Sequence, residues 1–215
     1  MKSSLTVSIE AHQFSAADII GGDAALDFIN TVTGRDGTPR DWLDGYPRLL
    51  EWSAMAQLLP ETHRRKLLRK AQAEPVAAAN ALAQAKLLRE ALFGLVTGIM
   101  AAKAPSRGAL ALLREHWLAG VAAHELHFEE AQVATRLRAD AAELDLIAAM
   151  VAYRMVEHVL VLPTERLRIC QGPNCSWLFI DSSKAGRRRW CDMAVCGNAA
   201  KSRRFYAKAQ QERNG

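Results

Sequence analysis

The sequence predicts a mainly α-helical chain with a few short strands, closed by a small C-terminal module organised around four cysteines. Three observations predict it. Apolar residues recur at helical spacing over most of residues 1–163, between Pro and Gly punctuation. Two short stretches near 124–138 alternate with period two instead. All four cysteines fall in the 27 residues from Cys170 to Cys196, and the other 188 residues contain none.

The elements follow in order. Gly22 and Asp23 precede Ala24, Ala25, Leu26, Phe28, Ile29 and Val32, so Asp23 reads as the N-cap of a first helix. Gly34 to Gly45 carries turn chemistry. Pro47 opens a helix through Leu49, Leu50, Trp52, Met55 and Leu58. Pro60 breaks it and opens another, Glu61 to Ala73, and Pro75 starts a long one to about Lys103. Leu110 to Val121 is a further short helix. His124 to Glu130 and Val133 to Arg138 read as half-buried strands of a hairpin, with Leu126 and Phe128 on one face of the first, and Val133, Thr135 and Leu137 on one face of the second. Asp140 to Leu162 has apolar spacing for a buried helix, which Pro163 ends. That proline divides the chain into a helical part, 1–163, and a C-terminal module, 164–215. The first part holds most of the apolar residues, so it is expected to fold without the second.

Half of the 215 residues are hydrophobic, enough for a sizeable core. Met1 to Phe14 lacks the apolar stretch of a signal peptide, and no apolar run approaches a membrane span. The expectation is a cytoplasmic protein without a membrane partner. The net charge of +5 is unevenly spread. Residues 164–215 hold eleven Lys and Arg against four Asp and Glu, while the rest is slightly acidic. A polyanion-binding module on a neutral body has this distribution, and so does a solvated basic tail.

The cysteines occur as Cys170-x4-Cys175 and Cys191-x4-Cys196, fifteen residues apart. Two close pairs separated by a returning segment bring four thiolates to one tetrahedral ion. So few residues cannot bury enough apolar area to be stable alone, and a zinc ion supplies roughly 10–16 kcal/mol in comparable peptides. One structural Zn2+ per chain is expected, held by Cys170, Cys175, Cys191 and Cys196. Four thiolates close the shell, so metal catalysis is not expected. Arg166 to Ile169 and Trp177 to Ile180 read as strands around the first pair, and a helical pattern begins near Ala194. A knuckle, a hairpin and a helix whose first turn supplies the last ligand make a treble-clef-like zinc finger, with a plain zinc ribbon as the alternative.

These residues carry a resemblance. Cys170, Cys175-Ser-Trp177-Leu-Phe179-Ile-Asp181-Ser-Ser183, Arg188-Arg189-Trp190-Cys191-Asp-Met193, and Cys196-Gly197-Asn198 with Lys201 resemble the CGNR zinc-finger family. Leu26-Asp27-Phe28-Ile29-Asn30-Thr31, Asp41-Trp42-Leu43 and Leu49-Leu50-Glu51-Trp52 resemble its partner, the ABATE domain. The resemblance implies a bacterial transcription regulator with a nucleic-acid-binding finger. One position departs from the pattern: the Arg of the family motif is Ala199 here.

Arg187, Arg188 and Arg189 precede Cys191, and Lys201, Arg203, Arg204 and Lys208 follow Cys196 on the last helix. Lys201, Arg204 and Lys208 share a helix face. These seven are the expected phosphate contacts. Trp190 and Tyr206 are available to stack on bases if exposed, while Trp177, Phe179, Trp190 and Phe205 fit the mini-core of the finger better. In the first part, Asp27, Asn30 and Thr31 lie among apolar residues. The bland account is that they cap or bridge to the 34–45 loop. The functional account is a small-molecule pocket formed by Asp27, Asn30, Arg35, Arg40 and Trp42.

Other signals fail on spacing. His124-Glu-Leu-His127 lacks the second His four residues on, Gly21-Gly22-Asp23 lacks the nucleotide-binding glycine pattern, and no nucleophile has an evident base. No catalytic residue is assigned, and an enzyme in the helical part ranks third. The leading expectation is a regulator binding nucleic acid, DNA ahead of RNA, with a helical part that senses an effector or forms a homodimer. The alternatives are an RNA-binding protein and an adaptor whose finger docks an acidic protein.

Overall fold

The computed structural model describes residues 7–129 and 131–214; the side chains of residues 204, 208, 209 and 211–214 lie outside that description. Strand β1 (Ser8–Ile9) pairs in parallel with β3 (Arg40–Asp41), which pairs antiparallel with β2 (Val32–Thr33). Between β1 and β2 lies α1 (Ala24–Ile29), and every one of its residues is buried. Asp23 caps it as expected, its carboxylate accepting from the Ala25 amide at 2.8 Å. The helix stops at Ile29, short of the expected Val32. Thr31 instead turns the chain into β2, its hydroxyl donating to the Phe28 carbonyl and its own carbonyl accepting from Trp42.

Helices α2 (Tyr46–Met55), α3 (Glu61–Ala73), α4 (Pro75–Met100) and α5 (Arg107–Ala122) follow within a few residues of their expected bounds. Ser106 caps α5, accepting from the Ala109 amide. Strands β4 (His124–Glu129) and β5 (Gln132–Leu137) form the expected hairpin, with Phe128 opposite Val133. Its apolar face is not half-buried: Leu126 and Phe128 are each 75% exposed. The alternation is real, but nothing packs on that side among the described residues. Helix α6 (Leu146–Arg154) begins six residues later than expected, because Asp140 to Asp145 is a loop, and it continues as one wider π-helical turn over Met155–Val159.

Around α6 the core closes. Ile147, Ala148, Val151 and Met155 meet Phe28, Trp52, Leu88 and Leu92 in one apolar cluster. The cluster does not stop at Pro163. It continues into β6 (Leu167–Ile169) and β7 (Leu178–Ile180), an antiparallel pair, through Leu167, Trp177, Leu178, Phe179 and the four cysteines. A π-helical turn, Met193–Gly197, then leads into α7 (Asn198–Asn214). No helix among the described residues is long and apolar enough to cross a membrane.

Candidate metal centre and basic finger surface

The four sulfurs converge. Each lies within 4.8 Å of the others, and all four thiols are free. Cys175 Sγ lies 3.7 Å from Cys191 Sγ, which lies 3.7 Å from Cys196 Sγ. Ligands about 2.3 Å from a tetrahedral zinc stand roughly 3.8 Å from one another, so this spacing fits zinc, whereas a disulfide would need about 2.05 Å. Backbone amides hold the sulfurs in place as well. The Gly172 and Cys191 amides both donate to Cys170 Sγ, at 3.3 Å. Hydrogen bonds from Cys175 and Cys191 lower the Cys170 thiol, and the contact with Cys170 pushes both of those thiols up. Four thiolates cannot coexist at this distance without a dication between them.

Local sequence explains the cage. Cys170 extends the hairpin, its amide donating to the Trp177 carbonyl at 2.8 Å. Asn174 and Ser176 take left-handed φ values of 54° and 58°, which curl the first knuckle. Gly172 sits where a Cβ would lie 2.7 Å from Cys196 Cβ and 2.8 Å from its sulfur. Asp192 caps the turn that delivers Cys196, accepting from the Val195 amide at 2.7 Å.

The CGNR zinc finger matches residues 166–209, the module just described. The ABATE family, described as a "putative stress-induced transcription regulator", matches residues 22–160, more than half of the chain. The chain belongs to the ABATE family. No curated protein matches it. The finger therefore holds one structural zinc on Cys170, Cys175, Cys191 and Cys196. Neither family is an enzyme class.

The arginines beside the metal are not equivalent. Arg188 turns inward: its guanidinium lies over the Phe179 ring at 4.8 Å and donates to the Cys191 carbonyl, while its amide donates to Asp181 at 2.8 Å. Hydrogen bonds from Ser183 and from that amide hold the Asp181 carboxyl down at about 2. Arg187 and Arg189 are exposed, and Arg189 reaches Gln171 at 2.8 Å. All three line a cleft of about 410 Å3 with Arg168, Gln171 and Met100. Lys201 and Arg203 are exposed on α7, and the side chains of Arg204 and Lys208 lie outside the described residues. Phe205 is 72% exposed and packs edge-on to the exposed Tyr206 rather than in the finger core, which Trp177 and Phe179 fill.

The five residues grouped as a ligand pocket are not brought to one cavity. Asn30 pairs with β7: its Nδ2 donates to the Leu178 carbonyl at 2.9 Å and its Oδ1 accepts from the Leu178 amide at 2.8 Å. Arg35 binds Glu90 and lies over Phe93. Arg40 is exposed, and Trp42 stacks on His12 and meets Trp177 edge-on. Asp27 is buried under the Gly21 loop. Sequence reasoning also missed Arg89, which is buried on α4 and clamps Asp41 with two hydrogen bonds of 2.8 Å. A lone Arg on a long helix carries no signal of such a partner.

Proposed function

We propose that the protein is a transcription regulator that binds nucleic acid, DNA in preference to RNA, through the basic face of its zinc finger, with the helical part as its regulatory half. One observation carries the reading. Every ion pair among the described residues lies between residues 10 and 154, and no described Arg or Lys of the finger is paired with an acid. The body pairs ten of its sixteen described Arg and Lys side chains with acids, whereas the described finger cations have no acidic partner and are left for an external anion. A phosphate backbone supplies such anions at regular spacing, and binding releases its counterions. The zinc makes the site rigid, so exposed Arg187 and Arg189 are held beside Arg168 at one cleft. Arg188 serves this surface indirectly, by fixing the loop.

The test is a salt series of fluorescence anisotropy on a labelled duplex. Replacing Arg187 and Arg189 together by Ala removes about two phosphate contacts and flattens the log–log slope by nearly two, with zinc content unchanged. The same measurement on an RNA hairpin ranks the two nucleic acids. An unchanged slope and affinity in the double variant would overturn the assignment and favour an acidic protein as the partner.

A further inference from the structure

A second site lies away from the finger, where the Gly21-Gly22-Asp23 loop crosses the end of α2. A cavity of about 390 Å3 opens there, with Ile19 and Leu58 among its apolar walls and Asp23, Asp27, Gln57 and Arg154 as its polar ones. The two carboxylates differ. Asp23 is fully used: it caps α1 and takes Arg154 in a two-pronged ion pair, with contacts of 2.7 and 3.2 Å. Asp27 is only 3% exposed, and the hydrogen bond it accepts comes from the Gly21 amide, at 2.7 Å. Among the described residues no cation and no side-chain donor reaches it. A buried carboxylate ordinarily has a charged partner. Burial, reinforced by Asp23 and opposed by the Gly21 and Ile20 amides, raises its carboxyl to about 7.

Once Asp27 ionises, nothing among the described residues supplies its countercharge. A hard metal ion would need several free oxygen ligands, and Asp23 is already committed. The apolar part of the lining, Ile19, Ala24, Ala56 and Leu58, instead suits a short hydrocarbon body attached to the charge. We propose that this cavity binds a small organic cation, a primary amine on a short apolar body, with its ammonium paired to Asp27. The site reports to the finger through backbone. Gly21 can hold no side chain here, since a Cβ would stand 2.9 Å from Asp27 Oδ1. Its carbonyl accepts the Ile180 amide of β7 at 2.8 Å, and the next residue, Asp181, holds Arg188. An amine that draws on Asp27 therefore pulls on the strand that seats the basic loop. The binding site itself does not depend on what the finger binds.

Isothermal titration of the zinc-loaded full chain at pH 8 tests this, with benzylamine as the probe and benzyl alcohol and benzoate as the neutral and anionic isosteres. Benzylamine should bind at least about tenfold more tightly than benzyl alcohol, and benzoate not at all, because a desolvated charge-assisted bond exceeds a neutral one. Asp27→Asn keeps an acceptor for Gly21 and should lose that margin. Gln57→Lys places a resident ammonium at the exposed rim and should lose it too, so the test survives if the first variant folds poorly. In amide NMR spectra, benzylamine should shift Ile180 in the parent and not in the variants. Equal binding of the amine and the alcohol, or full amine affinity in Gln57→Lys, overturns the proposal. No nucleic acid is present, so this result is separate from the finger assignment.

Discussion

Arg89 anchors α4 to the small sheet through charges that are almost wholly out of water. It clamps Asp41 with two bonds of 2.8 Å, donates to Thr31 at 2.9 Å and pairs with Glu90, while Lys86 reaches Asp41 from the preceding turn. Burial pushes the Asp41 carboxyl up, but the guanidinium more than offsets it and holds the group below its ordinary range. Removing one partner strands the other, so Arg89→Met should cost about 3–5 kcal/mol in urea denaturation. Replacing Arg89 and Asp41 together by apolar residues should cost less than the single change. Asp27 predicts the opposite pH behaviour from such paired acids. Its folded value of about 7 exceeds the ordinary 3.8. Below about pH 4 both states hold the proton and its contribution is intact. Between about 4 and 7 the unfolded chain ionises while the folded one resists, so stability falls as pH rises. Asp27→Asn should gain on the parent across that window, by a few kcal/mol above pH 7. Parallel urea curves with no such divergence would contradict this.

Among the elements, the knuckle and the hairpin make contrasting cases. The Cys170–Cys175 loop closes on Gly172, which has no room for a methyl group against Cys196. Gly172→Ala should force the two cysteines apart and speed zinc transfer to a chromogenic chelator by at least about tenfold, given the steep dependence of affinity on ligand geometry. The β4–β5 hairpin has its pairing and register as the alternation predicts, yet its apolar side faces solvent. Replacing Leu126 and Phe128 by Thr should therefore change stability by less than about 0.5 kcal/mol. A loss of several kcal/mol would show that something covers that face in solution. Helix α6 differs for a similar reason: the apolar spacing from Leu144 onward was visible, but the loop before it depends on where the hairpin returns the chain.

On the scale of the whole molecule, the finger and the helical part share a seam. Asn30 completes the pairing of Leu178, Gly21 accepts from Ile180, Gly34 donates to the Cys175 carbonyl at 3.1 Å, and Trp42 meets Trp177 at 5.6 Å. Composition favours independent folding of residues 1–163, whereas this seam ties α1 and the 34–45 loop to the metal site. Stripping zinc should accordingly lower the melting temperature of the helical signal, by several degrees at least, because one to two kcal/mol shifts a domain of this size by about that much. Circular dichroism with and without chelator decides it. A helical melt that ignores zinc would show that the helical part stands alone.

The sequence by itself determined the helices, the hairpin, the cap at Asp23, and the four zinc ligands. Each is encoded by residues close along the chain: periodicity, a cap a few residues from its amide, paired thiolates around one returning segment. The charge asymmetry was also plain, because it is a property of composition. What tertiary structure alone decided is which polar residue meets which. Asn30 was visible as a polar residue on a buried helix, but its partner Leu178 lies 148 positions away. Arg89 and Asp41 are 48 apart, and nothing local distinguishes a paired Asp41 from an unpaired Asp27. The exposure of Leu126 and Phe128 is of the same kind. Burial and pairing depend on which distant surfaces come together, and local spacing carries no record of them.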